Sequence, residues 1–240
     1  MNPIKRLLGK TGILTDYGHR GFEIPRSWSN LELARFSGRY KGAIVNVSAW
    51  EDKDKQGRRY RDYFTSGSEY YMTNFGTDQG VLQNVPNEYF VDLELPLRND
   101  LKGRFDVAFN HTCLEHIWDF RAAFGNLCAL SKDTVIIVVP WMQALHTDYG
   151  DYWRFSPQAI VRLFAENGLT ALHVSWNEAP MSATYVFCIA SRRPEHWVRE
   201  FEDLRPIRPS ADLLRLPPNF AGRTSFCWRP WRKVQTRRMS

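Results

Sequence analysis

Two groups of side chains suited to proton transfer stand out in the sequence. His111, Glu115 and His116 follow directly on Phe105-Asp-Val-Ala-Phe-Asn110, and His146, Asp148 and Asp151 follow the next apolar run, Val135-Ile-Ile-Val-Val139. Histidine exchanges a proton near neutral pH, so a histidine placed there can act as a base toward a hydroxyl group. Glu115 and His116 open a helical pattern over 114–130 and read as groups that cap and orient it. For His111 and His146 the residues leave a catalytic base and a packed side chain both open. A metal centre from His111, His116, His146 and Asp148 would have a spacing that matches no standard ligand pattern, so no metal is assigned. Tyr149, Tyr152, Trp153 and Phe155 either line a ligand pocket, with Arg154 meeting an anionic substituent, or close the core over the sheet.

Such groups need strands to place them. Gly42-Ala-Ile-Val-Asn-Val-Ser48 is a short apolar run bounded by turn residues, the pattern of a buried strand. Further strands are expected over 70–74, 89–93, 105–110 and 135–139, the last stopped by Pro140. Helices are expected over 31–36, 114–130 and from the Ser156-Pro157 cap to Gly168, with another over 195–204. Two strands over 171–176 and 183–191 have no clear helix between them, which predicts an α/β sheet with an antiparallel edge. The charged stretch 49–62 reads as a loop leading to a short helix, and Tyr60 to Phe64 either as packing or as ligand contacts beside the first loop. In an open parallel sheet, ligands bind beyond the carboxyl ends of the strands. Ser48-Ala49-Trp50, Asn74-Phe75, Asp92-Leu93, Asn110-His111-Thr112 and Pro140-Trp141-Met142 occupy those places.

With 240 residues, 43% of them hydrophobic and 24% charged, the chain is a single globular domain with appendages and not a disordered one. The expected division is an N-terminal extension over 1–40, a sheet domain over 41–193, and a helix with a basic aromatic tail over 194–240. The longest aliphatic run is too short to span a bilayer, and the first residues do not read as a secretory signal. Cys113, Cys128, Cys188 and Cys227 form no Cys-x-x-Cys pair, which points to a reducing, cytoplasmic setting. The net charge of +6 lies on the ends of the chain. The core therefore lacks the basic face that nucleic acid requires. Arg223, Arg229, Arg232, Lys233, Arg237 and Arg238 interleave with Phe226, Trp228 and Trp231, a composition that suits either a solvated extension or weak contact with an anionic membrane. The sequence sets no oligomeric state.

Phe105-Asp-Val-Ala-Phe-Asn-His-Thr-Cys-Leu-Glu-His-Ile117 resembles the fourth strand and following turn of class I S-adenosylmethionine-dependent methyltransferases, in the branch called methyltransferase type 11. Asp151-Tyr-Trp-Arg-Phe-Ser-Pro157, with a helix ending in Glu166-Asn-Gly-Leu169, resembles the segment after strand five of the same branch. The resemblance covers roughly 42–191. It implies a Rossmann-like seven-stranded sheet of order 3-2-1-4-5-7-6 with helices on both faces, and S-adenosylmethionine as cofactor. Carried onto this chain, the cofactor set is Ser48, Ala49, Trp50, Asn74, Asp92, Leu93 and Asn110. Tyr149, Tyr152 and Arg154 become the acceptor set, with His111 or His146 as base. The implied reaction is methyl transfer to a small-molecule or glycan-like hydroxylated acceptor. Two positions depart from the family: Ser48-Ala49-Trp50-Glu51 lacks the glycines of the first loop, and Asn74 stands where an acid usually holds the ribose. Those departures motivate the alternative of a non-catalytic binding protein on the same scaffold.

Overall fold

The computed structural model describes residues 18–76, 82–145, 150–179 and 181–209. The expected tail, together with His146, Asp148 and Tyr149, lies outside them. After a π-turn at His19–Glu23, the elements are α1 (Ile24–Ser37), β1 (Gly42–Val47), β2 (Gly67–Asn74), β3 (Glu88–Phe90), β4 (Phe105–His111), α2 (Phe120–Leu130), β5 (Ser131–Met142), α3 (Pro157–Glu166), β6 (Thr170–Trp176), β7 (Thr184–Ser191) and α4 (Pro194–Glu200). Short 3-10 turns at Tyr60–Tyr63 and Leu114–His116 punctuate the loops after β1 and β4.

The seven strands form one sheet in the order β3-β2-β1-β4-β5-β7-β6. β1 pairs in parallel with β2 and β4, and β4 with β5, whereas β7 runs antiparallel to both β5 and β6. The chain order therefore reverses between β1 and β4, where such sheets open a crevice at their carboxyl edge.

Alternation along the strands divides the core in two. Val45, Val47, Val135, Ile137 and Val139 face α2 and α3; Ile44, Val107, Phe109, Ile136 and Val138 face α1 and the aromatic turn at Tyr60–Tyr63. α1 carries Pro25, Ser29, Asn30, Leu33 and Phe36 as a buried stripe at helical spacing. Helix α1 thus supplies part of the core from within the first forty residues, and α4 adds Trp197 from the other end of the chain. Asp119 and Ser156 cap α2 and α3 through Ala122 N and Ala159 N at 3.1 and 3.2 Å. Gly168 ends the α3 turn at φ +72°, a conformation that suits glycine.

Several expected boundaries shift, among them the strand expected over 89–93, which ends at Phe90, and the helix over 195–204, which ends at Glu200. The helix expected over 114–130 breaks at Ile117, because the Leu114–His116 turn leads into an extended residue before Asp119 caps α2. β5 continues through Pro140, since β4 pairs it only as far as Val138 and the missing N–H falls beyond that ladder. The helix expected over 31–36 starts earlier, at Ile24, with Pro25 in its first turn. Among the described residues no helix is long and apolar enough to cross a membrane.

Candidate functional site

The register places the site residues side by side. Val47 pairs with Thr73 on one flank and Asn110 on the other, so Ser48 lies between Asn74 and His111 at the carboxyl edge. The first loop takes the conformations of a glycine turn without glycines: Ser48, Trp50, Asp52 and Lys55 have φ of +56, +50, +58 and +59°. Such angles cost a side-chain-bearing residue about 1–2 kcal/mol each and persist only where surroundings impose them.

Those surroundings are visible. Asp52 and Asp54 turn inward: Asp52 accepts from Asn46 Nδ2 (2.8 Å) and the Tyr70 hydroxyl (2.6 Å), and Asp54 from the Tyr63 hydroxyl (2.8 Å) and Gln56 N (2.7 Å). The stretch expected as a charged loop is thus pinned by two buried carboxylates. Asn74 accepts from Trp50 N at 2.6 Å and donates to Trp50 O at 3.1 Å and to Glu88 Oε1 at 2.6 Å. Its amide fastens the first loop. The Trp50 indole remains 50% exposed, and Lys55 Nζ lies 5.9 Å from its ring centre.

Asn110 is fully buried. Its Nδ2 donates to Val47 O at 2.9 Å, bridging β4 to β1, while its Oδ1 has no partner. Asp92 is partly buried and accepts from Glu94 N at 2.9 Å. Leu93 packs into the core, and its carbonyl accepts from Asn126. Cys113 lies against Ser48 and Asn110, and burial pushes its thiol up to about 11, so it is protonated.

His111 is enclosed. Its Nε2 lies 2.9 Å from Ser29 Oγ, its Nδ1 3.1 Å from Thr112 Oγ1 and 3.5 Å from Arg26 Nη1. The Ser29 hydroxyl donates its proton to Arg26 O at 3.0 Å, so the imidazole donates through Nε2 and keeps Nδ1 as acceptor. Burial, reinforced by Arg26 and Lys55, holds the imidazole well below its ordinary value, hence neutral.

The turn after β4 is stitched to the segment after β5. Glu115 O accepts from Tyr152 N (2.8 Å) and Trp153 N (3.2 Å), and His116 Nδ1 donates to Gly150 O at 2.5 Å. Glu115 and His116 thus join two loops and cap no long helix. The Glu115 side chain is 1% exposed, its Oε2 has no partner, and burial pushes its carboxyl up to about 8. Gln143, which follows β5, also has unpartnered side-chain amide atoms. Arg154 donates to both Asp151 carboxylate oxygens at 2.5 and 2.6 Å and to the Gln143 carbonyl at 3.1 Å, so its charge is already paired. Tyr152 is 51% exposed with its ring edge-on to the exposed Trp118. Among the described residues no cluster of three His, Cys, Asp or Glu is arranged to hold a metal ion.

Sequence reasoning passed over Arg26 and left Tyr60 between packing and ligand contact. Arg26 Nη1 donates to the Tyr60 hydroxyl at 3.2 Å and Nη2 to Thr112 Oγ1 at 3.4 Å, and its charge acts on the buried Tyr185 hydroxyl. A signal existed: positions 26, 29, 30 and 33 share one helical face, and three of them are polar where a core stripe is expected.

No protein-family model matches the chain, and no curated protein matches it in sequence. Solved structures do match in shape. Geranyl diphosphate methyltransferase in complex with SAM superposes with a TM-score of 0.51 at 11% identity, over 75% of this chain and 90% of that one. A chain from the complex between the Haloferax volcanii Trm112 methyltransferase activator and a candidate methyltransferase gives 0.51 at 11% identity, over 76% and 92%. A candidate methyltransferase from Bacillus halodurans gives 0.51 at 8% identity, over 68% and 97%. Strand order and these superpositions together show that the chain has the fold of the class I S-adenosylmethionine-dependent methyltransferases.

Proposed function

We propose that this protein is an S-adenosylmethionine-dependent methyltransferase acting on a hydroxylated small-molecule or glycan-like acceptor. The observation that carries the reading is the unpartnered, fully buried Asn110 Oδ1 beside a first loop held in glycine-like conformations at the sheet's switch point. Buried polar atoms rarely stay unpaired, so an orphan at a crevice marks where a ligand group would bond. The main chain of Ser48, Ala49 and Trp50 would meet the amino-acid end of the cofactor, and Asp92 its adenine. The neutral Asn74 amide is committed to Trp50 and Glu88 and takes no part in holding the ribose.

When bound, the sulfonium supplies an activated methyl group with a neutral leaving group. The chain's own contribution is alignment of the acceptor, and a place for the hydroxyl proton. His111 is ill suited to that task, because both ring nitrogens are engaged and its basicity is depressed. Glu115 is better suited: its Oε2 has no partner, and a carboxyl near 8 takes a proton readily at mildly alkaline pH. Thermal unfolding with and without S-adenosylmethionine or S-adenosylhomocysteine tests the reading. Both ligands should raise the melting temperature by several degrees at saturation while ATP does not. No shift with either would refute it.

A further inference from the structure

Arg26 is the least compensated charge at the site. Its guanidinium reaches over the carboxyl ends of the central strands from α1 and meets the Tyr60 turn and His111 and Thr112 at the end of β4, with its charge also felt by Tyr185 at the start of β7. Every one of those partners is neutral, and the contacts to Tyr60, Thr112 and His111 are long, at 3.2, 3.4 and 3.5 Å. Among the described residues no carboxylate lies within ion-pair distance of Arg26. Glu115 acts on it only from farther away, and burial keeps that carboxyl protonated near neutrality. Lys55 is a second cation close enough to be influenced by Arg26. A partly buried guanidinium surrounded by phenols, a neutral imidazole and another cation is costly unless an anion joins it.

We propose that Arg26 is an anion-binding subsite that takes a carboxylate or phosphate group of the methyl acceptor, making the acceptor an anionic small molecule. The planar fork of arginine suits both groups, and the Tyr60 and Tyr185 hydroxyls supply neutral donors beside it. The acceptor is the source favoured by position. Ser48 and Asp92, which would meet the cofactor, follow β1 and β3, whereas His111, Thr112 and Tyr185 lie at β4 and β7 on the other side of the switch point. Arg154, expected from the sequence to meet an anion, has Asp151 instead. This assignment rests on the methyltransferase reading for its acceptor, but the anion site stands on Arg26 itself.

The test is isothermal titration of the full chain, wild type and Arg26→Met, with inorganic phosphate, benzoate and uncharged benzyl alcohol at constant ionic strength. S-adenosylhomocysteine and 5′-methylthioadenosine, which lacks the carboxylate, are titrated in parallel. Phosphate or benzoate should bind the variant about tenfold or more weakly than wild type, as loss of a charge-assisted pair implies. Benzyl alcohol and both nucleosides should bind the two proteins alike. Equal anion binding by both proteins would assign it to the basic tail and overturn the subsite. Weaker binding of S-adenosylhomocysteine alone, with 5′-methylthioadenosine unaffected, would place the cofactor's carboxylate at Arg26 and overturn the acceptor assignment. Failure of wild type to bind S-adenosylhomocysteine would refute the methyltransferase reading, while the anion comparison still decides the subsite. Should Arg26→Met not fold, Arg26→Gln keeps donors toward Tyr60 and Thr112 without the charge; undiminished anion binding by it would likewise overturn the proposal.

Discussion

Asn74 holds the main chain of Trp50 from both sides, accepting from its N–H at 2.6 Å and donating to its carbonyl at 3.1 Å. The position where the resemblance to methyltransferases calls for a ribose-binding acid is thus used to brace a loop that has no glycines. Asn74→Asp removes the donor and sets a carboxylate against Glu88. It should destabilise the protein by about 1–3 kcal/mol in urea unfolding, the cost of breaking buried polar pairs. An unchanged midpoint would show that the brace is dispensable.

Trp50 offers a test of the loop's strain. At φ +50° a β-branched residue is strongly disfavoured and glycine is free. Trp50→Gly should therefore be more stable than Trp50→Val by about 1–2 kcal/mol. Equal stabilities would mean that the loop does not hold the left-handed conformation in solution.

Glu115 predicts a pH dependence whose sign is fixed. Its carboxyl is raised by burial to about 8, well above its unfolded value, so the folded protein binds one more proton between the two. That contribution to stability is fully present below about pH 4.3 and is lost as pH rises toward 8. Compared with wild type, Glu115→Gln should thus gain stability between pH 5 and pH 8, by about 1 kcal/mol or more. A pH-independent difference in unfolding free energy would place the carboxyl in a solvated setting.

His111 should remain neutral where an ordinary histidine titrates. Its imidazole is depressed by burial and by Arg26, so its NMR shifts should stay constant between pH 5.5 and 8. A titration centred near 6.5 would return it to the candidates for general base.

The strands were legible because their alternation and their turn residues agree with the sheet, as at Val135–Val139. Topology alone selects the residues after each strand, and the register sets Ser48 between Asn74 and His111 at that edge. What escaped was which of those residues are spent on structure. Asn74 and Arg154 look like ligand contacts in sequence, and only three-dimensional proximity to Trp50 and Asp151 shows their hydrogen bonds already committed. Arg26 escaped for the opposite reason: it lies more than eighty residues from His111, on a helix outside the recognised motifs. The inward turn of Asp52 and Asp54 was hidden because a run of charges ordinarily faces solvent, and here buried tyrosine hydroxyls receive it.

Direct calorimetric titration of S-adenosylhomocysteine into the purified full-length protein, with Asp92→Ala as its companion, tests whether the protein binds the cofactor. One site per chain is expected, with an affinity reduced by about tenfold or more in the variant, whose fold should be intact. Absence of heat at millimolar ligand, or binding that ignores the Asp92 substitution, would contradict that expectation.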